Sequence, residues 1–454
     1  MRSRMKHIFS LFVALVCAMA VFAQKEDSRE EIDARWFKSH YTKTECMIPM
    51  RDGSKLYTAI FTPKNKKALH PILLNPTQNG CEPYGKKSAT FWQEEVFAEY
   101  LRAEYIFVFQ DVRSSGKSVD TKPGAGSAND VFDTVEWLLR KVRKHNGSVG
   151  VWGIAEDGAY ALAASGCGHP AIKAVSVQAP VDCVVSQANA YVPTLFVGGG
   201  FDTKSNQCLW DCYGVIKEKS PNLDVRLVVG AWKHGAWRAN NQPDELEYDS
   251  LTADNTANFY SCEVEFPFFD HYLRGAASSG ASAAGALIYF TGENCWREMD
   301  CWRKGDKSYT LYLNEDGFLY NEQPRQSSSF VNNSEGVLTF VSPVLDSDVI
   351  VAGAVEALLH VMASHPTEEI AVKIIDVAED GEKEILLRSA TVAGQSVDAN
   401  RVMPLAIKMT DLAHTFMAGH RVKIQIEIPA KDKTCDMKLF HDKSHLSQIL
   451  FSIQ

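Results

Sequence analysis

Residues 150–160 read Gly150-Val151-Trp152-Gly153-Ile154-Ala155-Glu156-Asp157-Gly158-Ala159-Tyr160. A short apolar run enters a bend bracketed by glycines, and residues with good helix propensity follow. That order describes a buried strand turning sharply into a helix. At such a turn one side chain is lifted above the sheet edge, and the glycines let strand and helix approach closely. The residue at the apex is Ala155.

Working outward, short apolar runs alternate with amphipathic stretches, the pattern of a mostly parallel sheet covered by helices. The expected strands are Leu56–Thr62, Pro71–Leu74, Tyr105–Val112, Ser148–Gly153, Ala174–Gln178, Pro193–Val197 and Val225–Val229. Between the third and fourth, Val131, Val135, Leu138, Leu139 and Val142 fall on one helical stripe of a segment spanning Asn129–Lys144. Downstream of the bend, Phe196-Val197-Gly198-Gly199-Gly200-Phe201-Asp202 places an acid at a strand end, and Leu227-Val228-Val229-Gly230-Ala231-Trp232-Lys233-His234 places a histidine past the next strand. Apex residue, acid, histidine is the chain order of α/β-hydrolase triads, so the bend reads as a nucleophile elbow. In such a triad the acid holds the tautomer of the imidazole, and the imidazole deprotonates a serine. Ala155 has no hydroxyl to deprotonate. A carboxylate nucleophile would have to stand at 155 itself, which leaves Glu156 and Asp157 as solvent-facing or helix-starting acids. Ser165 lies too far along that helix to reach His234.

The chain has 454 residues, 45% hydrophobic and 23% charged, with a net charge of −9. This is an ordinary globular composition, long enough for two domains. The modest negative charge, spread along the chain, argues against nucleic acid or an anionic membrane surface as partner. Arg2, Arg4, Lys6 and His7 precede the apolar run Ile8–Phe22, and Val21-Phe22-Ala23 supplies small residues at a cleavage site. Residues 1–23 therefore read as a signal peptide, cleaved near Ala23, that sends the protein to a secreted or periplasmic location, with no membrane span. Ten of eleven cysteines remain after that cleavage. Their spacings show no zinc pattern, so neither a metal nor a cofactor is expected, and pairing is not fixed by spacing. Residues 274–286 are small and flexible, a linker. Beyond it, alternating runs such as Tyr309–Leu313, Gly336–Phe340, Ile370–Ile375 and Arg421–Ile428 signal an all-β sandwich or jelly roll.

With these stretches in view, the chain resembles the CocE/NonD hydrolases, relatives of X-Pro dipeptidyl-peptidases and α-amino-acid ester hydrolases. The likeness is carried by Met50-Arg51-Asp52-Gly53, Phe109-Gln110-Asp111-Val112-Arg113, the elbow, His169-Pro170-Ala171-Ile172-Lys173-Ala174-Val175 and Gln178-Ala179-Pro180. It continues through Gly230-Ala231-Trp232-Lys233-His234, Phe268-Phe269-Asp270-His271-Tyr272-Leu273, Trp296-Arg297-Glu298 and Phe416-Met417-Ala418-Gly419-His420-Arg421. The resemblance implies an α/β-hydrolase domain over 24–273, a linker over 274–286 and a C-terminal jelly roll over 287–454. It carries the triad acid onto Asp202 and the base onto His234, and the oxyanion-binding backbone N–H onto Glu156. The tyrosine that helps bind the oxyanion aligns with Asn79, with Tyr84 nearby as a substitute. Family members have serine at 155 and tyrosine at 156, and a long helical cap where this chain has only Val181–Val192. The expectation is an impaired or inactive hydrolase acting on, or binding, a small ester or peptide. The alternatives are a working hydrolase with an unconventional nucleophile, and a jelly roll that binds carbohydrate or protein.

Overall fold

All seven expected strands of the first half form, and they do so because their β-branched and aromatic residues are sandwiched between helices on both faces. The computed structural model describes residues 31–454 except 86–88, 122–126, 203–204, 239–255, 278–282, 303, 327–329, 333–335, 364–368, 394–400 and 428–436. The segment expected to be a signal peptide lies outside the described residues. Strands β1 (Tyr41–Pro49), β2 (Lys55–Pro63), β3 (His70–Thr77), β4 (Ile106–Asp111), β5 (His145–Ile154), β6 (Ile172–Gln178), β7 (Thr194–Gly199), β8 (Val225–Gly230), β9 (Ala286–Phe290) and β10 (Cys295–Met299) make one sheet. Its order is β1-β2-β4-β3-β5-β6-β7-β8-β9-β10. The run from β4 to β9 is parallel, with antiparallel pairing at both edges.

The helices are α1 (Ala34–His40), α2 (Ala98–Arg102), α3 (Ser127–Lys141), α4 (Glu156–Ser165), α5 (Asn206–Lys219), α6 (Thr256–Phe259) and α7 (Phe266–Arg274), the last two joined by a π-helical turn. On one face α3, α4 and α5 bury Val131, Val135, Leu138, Leu162, Leu209 and Ile216 against alternate sheet residues such as Val149 and Val151. The predicted stripe of α3 is the one that packs. The other face is aromatic: Phe97, Tyr100, Trp152, Tyr260, Phe268 and Phe269 share a core with Leu195 and Val197. Strand β5 thus sends Val151 to one core and Trp152 to the other, as period two requires.

The C-terminal region is a sandwich of a seven-stranded and a four-stranded antiparallel sheet. Its core includes Leu311, Val355, Leu359, Val372, Ile424 and Phe451. The runs expected at 309–313, 336–340, 370–375 and 421–428 appear as strands Lys307–Leu313, Val337–Val341, Glu369–Val377 and Arg421–Glu427. One boundary differs from expectation. The segment 274–286 does not separate the two sheets, because β9 and β10 follow it and complete the first one. The chain crosses over after Met299, since β9 pairs with β8 in the same parallel register as its neighbours. The two units also touch: the Arg388 Nη1 of the sandwich donates to the carbonyl of Gly200 at 2.8 Å.

Two helical glycines have opposite surroundings. A Cβ on Gly158 would lie 2.5 Å from the Gln178 carbonyl oxygen and 3.1 Å from Pro180 Cα, whereas one on Gly214 would meet nothing within 4 Å. Overpacking against backbone costs about 1–3 kcal/mol, while alanine in an open helix position gains about 0.4–1 kcal/mol over glycine. Gly158→Ala should lower, and Gly214→Ala raise, the stability measured by urea unfolding. Equal effects would show that α4 does not press on β6 as described.

Candidate active site

The bend after β5 is held by backbone alone. Ala155 has φ 57° and ψ −120°, a left-handed conformation that residues with a Cβ rarely adopt. Its N–H donates to the Gln178 carbonyl at 3.0 Å, and its own carbonyl accepts from Val181 N–H at 3.3 Å. A Cβ on Gly153 would fall 2.1 Å from the Asp157 carbonyl oxygen, so the strand end and the first helical turn meet with no room for a side chain. Glu156 opens α4 and is exposed. Its backbone N–H is one of the four donors that a helix start leaves without an intrahelical acceptor.

Two loops bring the acid and the histidine together. Asp202 follows β7 and is fully buried; its Oδ2 lies 2.7 Å from His234 Nδ1, in the loop after β8. The Ser205 N–H donates to Asp202 Oδ1 at 3.1 Å and the Ser205 hydroxyl to Oδ2. A carboxylate with those donors accepts from the imidazole, which puts the proton on Nδ1 and leaves Nε2 an acceptor. The His234 side chain keeps 30% of its surface exposed. Its loop rests on the elbow: a Cβ on Gly235 would contact Ile154 Cδ1 at 3.6 Å. Asp202, His234 and the turn of Ala155 therefore share one end of the sheet.

Beneath them lies a buried polar network that the sequence reading did not assign. Gln178 Oε1 accepts from Trp237 Nε1 at 2.9 Å and Arg238 Nε at 3.1 Å, while its amide donates to Glu265 Oε1 at 2.5 Å. Arg238 pairs with Glu265 at 3.2 Å, and its guanidinium stacks 4.0 Å from the Trp152 ring centroid. The segment just past His234 is thereby fastened to β5, β6 and the π turn. The one advance signal was Gln178 itself, a polar residue at the end of an apolar strand.

The expected oxyanion and acid positions divide. Asn79 is exposed, in a loop whose Gln78 N–H donates to Asp157 Oδ1 at 2.7 Å, beside the elbow. Tyr84 is not a substitute donor there, because its hydroxyl is given to Asp111 Oδ2 at 3.0 Å. Asp111 also accepts from Lys117 N–H at 2.7 Å, so that motif aspartate organises two loops. Both acids lie in the first turn of α4, where Glu156 faces solvent and Asp157 does not. Asp157 is 5% exposed because its carboxylate fastens the Gln78 loop to α4. Burial pushes its pKa up to about 6 against the lowering effect of the Gln78 N–H and the Thr77 hydroxyl.

With this geometry described, comparison with known proteins is informative. Residues 52–191 match the X-Pro dipeptidyl-peptidase (S15 family), and residues 277–434 match the X-Pro dipeptidyl-peptidase C-terminal non-catalytic domain. The cocaine esterase of Rhodococcus sp. (strain MB1 Bresler) is 22% identical over 540 residues, covering 84% of this chain and 89% of that protein. Among solved structures, an aminopeptidase from a marine sediment Thaumarchaeota archaeon superposes with TM-score 0.81 at 22% identity, covering 94% of this chain and 98% of that one. An α-amino acid ester hydrolase gives 0.79 at 21% identity with 94% and 98% coverage. A CocE/NonD family hydrolase from Staphylococcus aureus gives 0.70 at 13% identity, with 91% and 94%. At these identities the structural likeness speaks for the fold.

Two stability measurements probe this turn. Positive φ with a Cβ costs about 1–3 kcal/mol, so Ala155→Gly should stabilise by about 1 kcal/mol after the added chain entropy of glycine; destabilisation would mean that the methyl group packs. Asp157 holds its proton more tightly in the folded than in the unfolded chain. Its contribution is therefore present below pH 4 and lost as pH rises through about 6. Wild type should lose about 3 kcal/mol relative to Asp157→Asn between pH 4 and pH 7, at 1.36 kcal/mol per pKa unit. Parallel pH profiles of the two in urea unfolding would contradict this environment.

Proposed function

We propose that this chain, which belongs to the CocE/NonD family of hydrolases, is an exported member that binds a small ester or peptide-like molecule without turning it over at a family rate. The observation that carries the reading is a methyl group at the elbow. Ala155 holds the strained turn after β5 where the resemblance calls for the nucleophilic serine, and His234 is hydrogen-bonded to Asp202.

In acyl transfer the imidazole takes a proton from the nucleophile and later returns it to the leaving group. With alanine at the elbow, no serine hydroxyl stands there for His234 Nε2 to deprotonate, so attack lacks the family's nucleophile. Removing the serine from such a triad costs on the order of a million-fold in turnover. The remaining assets are substrate binding and the Glu156 N–H, which by themselves give a residual of about 10³- to 10⁴-fold over water. Three further features support the reading. Asn79 stands where the resemblance calls for tyrosine. Glu156 is an anion beside the place where negative charge would develop, which opposes that charge. The stretch between β6 and β7 holds only a short turn at Val185–Gln187, where the resemblance calls for a long helical cap. Export rests on the basic start, the apolar run and Val21-Phe22-Ala23. No helix among the described residues is long and apolar enough to cross a membrane.

The test compares wild type, Ala155→Ser and Ala155→Ser with Glu156→Tyr, using a fluorophosphonate probe with intact mass and an activated ester. Wild type should neither label nor hydrolyse. Ala155→Ser should label slowly, about 100- to 1000-fold below a complete site because an oxyanion donor is missing, and the double variant should be faster. Wild-type ester hydrolysis that is abolished by His234→Ala would sink the reading and require another nucleophile.

A further inference from the structure

Three cysteines that are far apart in spacing terms meet in the fold. Cys208 and Cys212 lie one turn apart on α5, and Cys183 sits in the short connection between β6 and β7. Their three Sγ atoms are all within 4.8 Å of one another, with Cys208 and Cys212 separated by 3.8 Å. All three carry free thiols.

Packing alone accounts for one of them. Cys212 is fully buried beside Leu209 and Ile216 and fills the core as a small apolar residue would. Cys183 and Cys208 pack against the edge of the same core but keep part of their surface exposed, so their sulfurs remain accessible to an ion. A disulfide within the helix is excluded by geometry. Side chains one turn apart hold their Cβ atoms about 5–6 Å from each other, and a disulfide needs about 3.5–4.5 Å. A bond from Cys183 to either helical cysteine would leave the third thiol stranded in the cluster.

A metal ion uses all three. Tetrahedral zinc with bonds of about 2.3 Å separates its sulfur ligands by about 3.8 Å, which is the distance between Cys208 and Cys212. We propose that Cys183, Cys208 and Cys212 form a three-thiolate site for a thiophilic d¹⁰ cation, Zn(II) in the first instance, with its fourth position open to water. Binding replaces three S–H protons by three S–M bonds and releases the protons to solvent, so affinity falls as pH falls.

The consequence is mechanical. Val181, two residues before Cys183, donates to the carbonyl of Ala155, and α5 begins four residues after Asp202. The bound ion clamps the connection beside the elbow to the helix behind the acid. This stands apart from the question of turnover, because the three thiols lie outside the Asp202–His234 pair.

The experiment uses the mature chain, reduced and chelator-stripped, titrated with Cd(II) alone and separately with Zn(II) against a competing chelator. One Cd(II) per chain should bind, with a thiolate-to-metal charge-transfer band in the ultraviolet, and Zn(II), bound in the separate titration, should raise Tm and be displaced by Cd(II). Loss of an outer-shell partner already weakens metal sites about 10- to 100-fold; loss of a ligand, in Cys183→Ser or Cys208→Ser, should cost on the order of 100-fold or more. Cys183→Ser is the informative variant, since it leaves the core residue in place and its fold can be checked by circular dichroism. Cys46→Ser should bind as wild type does. Absence of the band, a band that Cys183→Ser does not weaken, or a Cys183 disulfide found by non-reducing peptide mapping of the purified protein would each overturn the proposal.

Discussion

The left-handed backbone of residue 155 is the constraint on which this end of the molecule depends. A β-strand and an α-helix run in directions that cannot be joined by one residue unless it takes positive φ and its neighbours carry no side chains at the contact. Gly153 and Gly158 meet that requirement: the first lets β5 touch the carbonyl of Asp157, the second lets α4 touch β6. Two hydrogen bonds from the 155 peptide groups, to Gln178 and from Val181, then carry the bend across to the next strand. The backbone holds this shape over a methyl group as it would over a hydroxyl. The geometry belongs to the peptide chain and not to the chemistry it could display.

Around that turn the placement of charge follows from burial. Arg238 and Glu265 are paired below the histidine loop and share Gln178 between them. A buried pair of this kind contributes little against an apolar substitute, but removing one partner is costly, about 3–5 kcal/mol, because it leaves the other charge uncompensated. The network therefore fixes where the segment past His234 can lie more than it adds net stability. Arg388 does the same from the other domain. It is buried, with its pKa pushed down to about 10 by desolvation, and spends its donors on the carbonyls of Gly200, Leu387, Thr410 and Asp411. One of those carbonyls lies two residues before Asp202, so the sandwich domain helps to hold the acid loop.

On the proposed reading, an acid–histidine pair without a hydroxyl at the apex separates two things that a working hydrolase combines. Positioning depends on many buried contacts, each of which would cost stability if lost. Chemistry depends on a single oxygen atom whose loss costs the fold almost nothing. The cysteine cluster belongs to the first category: its thiols come from the connection and the helix that flank the elbow and the acid.

The parallel sheet, its helices and the C-terminal sandwich were legible from periodicity, because apolar side chains at period two or 3.6 have one face to bury and few ways to bury it. The chain order of Ala155, Asp202 and His234 was legible because strand ends and turns carry glycine and small-residue signals. The boundary after Met299 was not, since β9 and β10 join the first sheet by register, and register is settled by neighbours distant in sequence. Nor was the burial of Asp157: a carboxylate at a helix start is usually solvated, and only the approach of the Gln78 loop encloses it. Tyr84 is close to Asn79 in sequence, yet Asp111 takes its hydroxyl. Cys183 and Cys208 are 25 positions apart, and no spacing rule connects them. Local pattern by itself determined which segments become strands and helices and where a catalytic turn would lie; tertiary packing alone decided which polar groups face each other, because that depends on loops crossing between elements whose separation along the chain carries no distance information.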